Sequence, residues 1–351
     1  MAKKVLIVDD SALVRKQLST IVSEIGFDVD VAKNGQEAVD MAVETDYSAI
    51  TMDINMPVMD GIEAVKQIME KNPSAILMVS SLTTADATIT MDALDLGAID
   101  YVSKPGTMNI GKVQNTEDII QKVKSLARIP KRRLQRIKKV QPMRERRVAQ
   151  QEKSTSLTSK DIQKVILVGS STGGPGLIEQ ICASVPANYK YPICIVQHMP
   201  EKFTAAFATR LNRSSALSVH ESSSNMEVIP GNIYVARGGV HMNFAKKTSG
   251  KIVIREDKEK GNGYFMPSVN EMMLSAIDVF KPEQLVGVLL TGIGDDGALG
   301  MVEMKKRGSY TIGESEESAT VYGMPKVAFD NGGVSEQLDF KQILHKIATM
   351  K

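Results

Sequence analysis

The chain of 351 residues contains no tryptophan, two cysteines and only 5% aromatic residues. Cys182 and Cys194 lie in apolar segments without the spacing of a metal site, which predicts buried, reduced thiols. No apolar run approaches the roughly 20 residues that a membrane-spanning helix needs, and the N-terminal MAKK lacks the apolar core of a signal peptide. These absences predict a cytoplasmic globular protein. The length of the chain is enough for two or three domains.

The formal net charge of +2 conceals three blocks of different charge. Residues 1–120 contain 9 basic (Lys, Arg) and 19 acidic (Asp, Glu) residues. Residues 121–164 contain 15 basic and 3 acidic residues, and residues 165–351 contain 19 of each. Such blocks mark module boundaries. We therefore predict a domain over residues 1–122, a basic flexible linker over 123–163 and a domain over 164–351. A basic arm that binds nucleic acid is the alternative for the linker, but no aromatic residue is interleaved for base stacking.

In the N-terminal domain five apolar runs alternate with five amphipathic segments. This pattern predicts a (βα)5 unit, an open parallel sheet with helices on both faces, whose ligand site lies beyond the carboxyl ends of the strands. Three carboxylates at that edge suit Mg²⁺, and a lysine and a hydroxyl there could hold phosphoryl oxygens. The polar residues at the predicted strand ends are Asp9, Asp10, Asp53, Ser80 and Lys104.

The C-terminal domain begins with a strand, a glycine-rich turn and an amphipathic segment, VILVGSSTGGPGLIEQI. The P-loop pattern fails because no lysine follows Gly174, and the dinucleotide pattern fails because Glu179 stands where the third glycine is needed. The pattern G-x-S-x-G fits with Ser171 at its centre, which predicts a serine nucleophile exposed on a tight turn. An ordinary glycine-rich turn remains the alternative for this motif taken alone.

A serine nucleophile needs a base, and the chain has four histidines. His345 lies in an amphipathic helix, His220 in a predicted edge strand, and His241 at the start of another strand. His198 directly follows an apolar strand, so it is expected on the same sheet edge as Ser171. We therefore predict that His198 is the base, with a structural histidine as the alternative.

The base in turn needs a carboxylate, and a third apolar run ends in Asp295 and Asp296. One of this pair is expected to cap the following helix. The order Ser, His, Asp differs from that of α/β-hydrolases, although a triad is defined by geometry and not by chain order. The three strands predict a doubly wound, mainly parallel α/β domain.

The first 120 residues resemble the receiver domain of bacterial two-component signalling, through VDDS, MDINMPVMDG, MVSS and YVSKP. The resemblance implies that a chemotaxis histidine kinase supplies a phosphoryl group to Asp53, that Ser80 and Lys104 contact it, and that Tyr101 is an aromatic switch. It also implies Mg²⁺ as cofactor. The implied metal ligands are Asp9, Asp10, Asp53 and the backbone of Asn55.

Residues 164–345 resemble the chemotaxis protein-glutamate methylesterase family, through GSSTGG, QHMP, VIPGNIYVARGGVHM, MPSVNEMM, GVLLTGIGDDGALGM, YGMPKVA and NGGVSEQL. The resemblance implies Ser171 as nucleophile, His198 as general base and Asp296 as its partner. The resemblance also implies that Thr172 and the backbone N–H of Ile293 are oxyanion donors. Three positions depart from the family pattern. Ser170 stands where the family has Ala, Asp295 where it has Asn, and Asn270 where it has Asp.

The expected function is thus a phosphorylation-activated hydrolase of glutamate methyl esters, and of glutamine amides, on methyl-accepting chemoreceptors. It would need no cofactor for ester hydrolysis, bind no nucleic acid, and act on membrane-bound receptors without a membrane segment of its own. Three alternatives stay open: a DNA-binding response regulator, a nucleotide-binding module and a catalytically silent interaction protein. The first is disfavoured because the C-terminal half is charge-neutral and rich in strands.

Overall fold

The computed structural model describes residues 3–81, 83–105, 115–137, 157–259 and 265–350. The chain divides into two compact units, Met1–Pro142 and Met143–Lys351. Among the described residues, none of the helices combines the length and the apolar character that crossing a membrane requires.

The N-terminal unit is a five-stranded parallel sheet. Numbered along the chain, its strands lie in the order 2-1-3-4-5, and the third and fourth are wholly buried. Burial on both faces explains why these strands read as continuous apolar runs. The predicted (βα)5 pattern is confirmed. The strands are β1 (Lys4–Val8), β2 (Asp28–Ala32), β3 (Ala49–Asp53), β4 (Ile76–Ser80) and β5 (Asp100–Ser103), and the helices are α1 (Ala12–Glu24), α2 (Gly35–Glu44), α3 (Gly61–Lys71), α4 (Thr84–Asp95), α5 (Thr116–Leu126) and α6 (Lys131–Ile137).

The N-terminal unit extends past the predicted linker boundary at residue 122, which falls inside α5. Val123, Leu126 and Leu134 are buried in the core of this unit. These three residues of the predicted linker therefore pack on this unit, and the domain boundaries themselves stay predictions. Residues 138–156, the middle of the predicted linker, lie outside the described residues, and their role as a flexible linker stays a prediction.

The C-terminal unit contains a seven-stranded sheet, parallel throughout, and a separate antiparallel pair of strands. Numbered along the whole chain, the strands of the sheet lie in the order 14-13-12-6-7-9-8, and the pair is formed by strands 10 and 11. A mainly parallel α/β domain is thereby confirmed. The strands are β6 (Val165–Ser170), β7 (Ile193–Gln197), β8 (Ser218–Glu221), β9 (Asn232–Val235), β10 (His241–Lys246), β11 (Ile252–Asp257), β12 (Leu285–Leu289), β13 (Tyr310–Glu314) and β14 (Glu336–Leu338), and the helices are α7 (Pro175–Ser184), α8 (Glu201–Ser214), α9 (Val269–Ile277), α10 (Ala298–Lys306), α11 (Met324–Asp330) and α12 (Phe340–Ala348).

Three adjacent strands of this sheet, β12, β6 and β7, carry the candidate catalytic residues just beyond their carboxyl ends. Leu289 pairs with Gly169, and Ser170 pairs with Gln197. Because all three strands run parallel, the segments that follow them emerge at one edge of the sheet. His220 lies in edge strand β8 and His345 on the exposed surface of α12. His241, at the start of β10, is buried, and its Nδ1 accepts from the N–H of Ser268 at 3.1 Å.

Candidate active site

Gly169, near the end of β6, and Gly174, in the turn after it, could not be replaced by a larger residue without displacing a neighbour. A Cβ on Gly169 would lie 2.3 Å from a methyl group of Val269, and one on Gly174 would lie 2.3 Å from Oε1 of Gln197. Ser171 stands in this turn, and its backbone N–H donates to the carbonyl of Thr291 at 2.9 Å. The tight turn thus fixes the backbone of the candidate nucleophile against the loop that follows β12.

His198 lies opposite Ser171 on the neighbouring strand end. Its backbone N–H donates to the carbonyl of Ser170 at 3.1 Å, which continues the pairing of Ser170 with Gln197 by one position. The structure has no hydrogen bond between the Ser171 hydroxyl and the His198 ring. The side chain of His198 is 6% exposed, and among the described residues its Nδ1 has no hydrogen-bond partner. Serine–histidine hydrogen bonds of catalytic sites are often longer without substrate than in the substrate complex.

Asp296 holds the other ring nitrogen of His198, with 2.8 Å between Oδ2 and Nε2. The carboxylate also accepts hydrogen bonds from the Ser268 hydroxyl at 2.8 Å and from two backbone N–H groups, of Val269 at 2.6 Å and Asn270 at 3.0 Å. These donors form the N-terminal cap of α9, where the helix dipole favours negative charge. Burial raises the pKa of Asp296, but the bonds from His198 and the two N–H groups outweigh it, so that the pKa is lowered and the group stays ionised.

Of the two residues implied as oxyanion donors, Thr172 lies in the turn after β6 and Ile293 in the loop after β12. Thr172 is 1% exposed, and its carbonyl accepts from the hydroxyl of Thr291 at 2.9 Å. Ile293 is half-buried in the loop after β12. A Cβ on the preceding Gly292 would lie 2.9 Å from Cβ of Ser171, so this loop passes directly against the candidate nucleophile. The N–H of Ser171 itself is engaged with Thr291 and is not available to an oxyanion.

The N-terminal unit brings its acidic residues together at the carboxyl edge of its sheet. Oxygen atoms of Asp9, Asp10 and Asp53 lie within 4.8 Å of one another. Nζ of Lys104 lies 3.1 Å from Asp9 and 2.9 Å from Asp53. Ser80 is 1% exposed at the end of the adjacent strand, where its hydroxyl donates to the carbonyl of Ser81 at 3.0 Å.

The electrostatics of this acidic cluster favour a further cation. Burial raises the pKa of Asp53, the nearby charge of Asp9 adds to the rise, and the hydrogen bond from Lys104 only partly opposes it. Burial lowers the pKa of Lys104, but the two carboxylates outweigh it and raise the pKa overall. Three carboxylates outnumber the lysine that bridges two of them, and their hard oxygen atoms fit the ligand preference of Mg²⁺.

Asn55 and Tyr101, the other two residues implied for this unit, occupy different environments. Asn55 is exposed in the segment after β3, two residues beyond Asp53. Tyr101 is 2% exposed, and Nζ of Lys122 lies 5.3 Å from its ring centroid. Burial, with the nearby charges of Asp100 and Asp118, raises the pKa of the Tyr101 hydroxyl far above its ordinary value.

Comparison with known proteins matches each of the two units to a protein family. Residues 166–347 match the family model of the CheB methylesterase, and residues 5–122 match that of the response regulator receiver domain. A Carboxydothermus hydrogenoformans protein named protein-glutamate methylesterase/protein-glutamine glutaminase 2 is 44% identical over 99% of this chain and 98% of its own. A protein of the same name, without the number, from Archaeoglobus fulgidus is 40% identical over 98% of this chain and 97% of its own.

The chain belongs to the CheB methylesterase family. The crystal structure of the Thermotoga maritima CheB methylesterase catalytic domain matches with a TM-score of 0.51 and 34% identity, over 54% of this chain and 98% of that one. The match is confined to the catalytic part and agrees with the parallel sheet described above.

The three departures from the family pattern have structural consequences. The Ser170 hydroxyl is fully buried and donates to Oε1 of Gln197 at 2.7 Å, so a glutamine side chain engages it. Asp295 is exposed, whereas Asp296 contacts His198. Oδ1 of Asn270 accepts from the N–H of Gly300 at 2.9 Å and thereby joins α9 to the first turn of α10.

Two residues whose side chains contact the His198 ring or the Asp296 carboxylate were not predicted from the sequence. Phe265 stacks on the His198 ring, with 3.9 Å between centroids and 13° between planes, and Ser268 donates to Asp296. The sequence from Ser268 to Glu271 fits a helix capping pattern, which could have located the start of α9. No local pattern indicates that this cap faces Asp296, and none indicates the stacking of Phe265.

Proposed function

We propose that this chain is a protein-glutamate methylesterase with a Ser171–His198–Asp296 triad, controlled by phosphorylation of Asp53. The observation that carries the proposal is the position of His198: one ring nitrogen is bound by a buried carboxylate, and the other has no hydrogen-bond partner among the described residues. This ring lies at the strand end next to Ser171. A serine, an imidazole and an ionised carboxylate at one sheet edge are the groups that acyl transfer needs.

In the proposed reaction Nδ1 of His198 takes the proton of the Ser171 hydroxyl while Oγ attacks the ester carbonyl carbon. Asp296 keeps the proton on Nε2, so that Nδ1 is free to act as base, and it stabilises the imidazolium that forms. His198 then returns its proton to the departing methoxide, and methanol leaves. Water, deprotonated by the same imidazole, attacks the acyl-enzyme, which releases glutamate and restores Ser171.

The oxyanion of each tetrahedral intermediate needs donors that fit it better than they fit the ground-state ester. We assign this role to Thr172 and to the backbone N–H of Ile293. The closeness of the loop after β12 to Ser171 supports the assignment. The same intermediates would serve the hydrolysis of a glutamine amide, with ammonia in place of methanol, which is the second activity in the names of the relatives.

The proposed regulatory reaction takes place at the acidic cluster. Asp53 would receive a phosphoryl group from a chemotaxis histidine kinase, and Ser80 and Lys104 would contact its oxygens. Asp9, Asp10, Asp53 and the backbone of Asn55 would hold Mg²⁺, which neutralises charge during phosphoryl transfer. Tyr101 would act as the aromatic switch. The proposed substrates are methyl-accepting chemoreceptors, reached from the cytoplasm.

The test is methanol release from methylated receptor membranes, with and without a small-molecule phosphodonor. The intact chain should release methanol faster with the donor, Ser171→Ala should release none, and Asp53→Asn should show only the unstimulated rate. Equal stimulation of Asp53→Asn would remove Asp53 from the mechanism. Undiminished release by Ser171→Ala would refute the esterase proposal, and salt-dependent DNA binding by the chain would favour a transcription regulator.

A further inference from the structure

A fully buried carboxylate, that of Glu314, lies behind the candidate active site. Glu314 is the last residue of β13 and is 0% exposed. Burying a carboxylate is costly unless hydrogen bonds compensate. Its Oε2 accepts from the backbone N–H of Thr291 at 2.7 Å, and its Oε1 accepts from the hydroxyl of Ser318 at 2.8 Å. The ester mechanism uses none of these groups, so their role needs another explanation.

Thr291 links Glu314 to the nucleophile turn. Its carbonyl accepts from the N–H of Ser171 at 2.9 Å, and its hydroxyl donates to the carbonyl of Thr172 at 2.9 Å. The hydroxyl also accepts from the N–H of Val321 at 2.8 Å. Through its own N–H, carbonyl and hydroxyl, Thr291 therefore ties Glu314 to the backbone of two successive residues of the turn.

Thr291 also begins the loop that carries the rest of the site. The next residue, Gly292, packs against Cβ of Ser171. Its N–H donates to the carbonyl of Val321 at 3.1 Å, and its carbonyl accepts from the N–H of Met324 at 2.9 Å. Ile293 and Asp296 follow in the same loop. A shift of Thr291 would displace the nucleophile and the loop together.

We propose that Glu314 is a positioning residue of the esterase, which acts through Thr291 to hold Ser171 and the loop after β12 in their reactive arrangement. The inference rests on the proposed function, because it assigns a role toward the same nucleophile. Glu314 does not touch the substrate or the reacting atoms. The acceptor atom at Oε2 is the feature that matters, since it fixes the N–H of Thr291.

The test compares three variants of the full chain with the unsubstituted chain. Glu314→Leu removes both acceptor atoms. Glu314→Gln keeps one carbonyl oxygen for the N–H of Thr291. The control Glu336→Leu removes a carboxylate on the adjacent strand β14, where Glu336 pairs with Lys346 near the surface. For each we would measure kcat and KM of methanol release, thermal unfolding, and the rate at which a fluorophosphonate labels Ser171.

We expect Glu314→Leu to lower kcat and the labelling rate together by about 10- to 100-fold, because small displacements of a reacting group cost factors of this order. KM should stay within about twofold, since uniform binding is not removed. Glu314→Gln and Glu336→Leu should each stay within about threefold of the unsubstituted chain. A loss in Glu314→Gln as large as in Glu314→Leu would overturn the role of the acceptor atom.

A Glu314→Leu chain that melts earlier but keeps its kcat and labelling rate below its melting temperature would also overturn the proposal. If that variant does not fold, Thr291→Val replaces it. The Thr291→Val variant removes the hydroxyl contact from Thr291 to the carbonyl of Thr172, and it should lower kcat at unchanged KM. An unchanged kcat would refute the role of Thr291 in positioning the nucleophile turn. Labelling requires no receptor, so a failure of this inference is distinguishable from a failure of the proposed substrate.

Discussion

The replacement Asp296→Asn tests the arrangement around the candidate base. Four donors point at this carboxylate: Nε2 of His198 and the N–H of Val269 at Oδ2, and the Ser268 hydroxyl and the N–H of Asn270 at Oδ1. An amide carries one acceptor oxygen and one NH₂ group. Whichever way it is turned, the NH₂ group faces a backbone N–H that cannot reverse its direction.

The expected loss of stability in Asp296→Asn follows from this count of donors. One unpaired buried donor costs about 1–3 kcal/mol of stability, and each kcal/mol lowers Tm by about 2–4 °C in a domain of this size. If the amide donates to Nε2, His198 adopts the tautomer with the proton on Nδ1 and cannot act as base. In the Ser-His-Asp triad of serine proteases this change lowers kcat about 10⁴-fold. We expect a loss of about 10³- to 10⁴-fold here, or about 4–5 kcal/mol at 1.36 kcal/mol per decade.

The assay is methanol release with saturating phosphodonor, measured on Asp296→Asn and on the matched control Asp295→Asn. The two variants change the net charge equally at adjacent positions, but Asp295 is exposed and lies outside the contact to His198. The control should keep its kcat within about twofold. A loss of less than tenfold in Asp296→Asn, or equal losses in both variants, would refute the assigned role of Asp296.

Three further outcomes are expected. Ser170→Ala removes the buried donor to Gln197 and should lower the free energy of unfolding by about 1–3 kcal/mol while leaving kcat within about twofold; a hundredfold loss in kcat would place Ser170 in the chemistry. Asp53→Asn should raise the Tm of the N-terminal unit at pH 7, because burial and Asp9 raise the pKa of Asp53 and make its charged form costly in the fold. A lower Tm in calorimetry would contradict that sign. Since the pKa of Asp296 is lowered by folding, its stabilising contribution is present above the unfolded value of about 3.9 and is lost as the pH falls through the folded value. Acid unfolding of the intact chain should therefore lose more stability below about pH 4 than that of Asp296→Asn, and identical acid dependence would contradict this.

Local patterns in the sequence were sufficient to predict the strands and helices that carry both sites. The alternation of apolar runs and amphipathic segments is a local property. Asp53 is the last residue of a buried strand, and His198 directly follows another. That parallel strands end at a common edge then places them on one side of the sheet. The family resemblance added the residue roles and the choice of Asp296 over Asp295.

The contacts between distant segments could not be predicted in this way. The pairing of β12 with β6 joins residues more than 100 positions apart, such as Leu289 with Gly169. The cap of α9 on Asp296 and the stacking of Phe265 on His198 come from the packing of segments without periodic signal. The burial of Glu314 at the end of a strand is likewise set by tertiary structure, since a carboxylate there reads as solvent-exposed in the sequence.

The identity of the nucleophile is tested most directly by locating a covalent adduct. After reaction of the intact chain with a fluorophosphonate, tandem mass spectrometry of the tryptic peptides should find one adduct, on Ser171 and not on the adjacent Ser170, and His198→Gln should abolish it. An adduct on Ser170, or full methanol release by a chain that carries no adduct and resists the reagent, would contradict the triad.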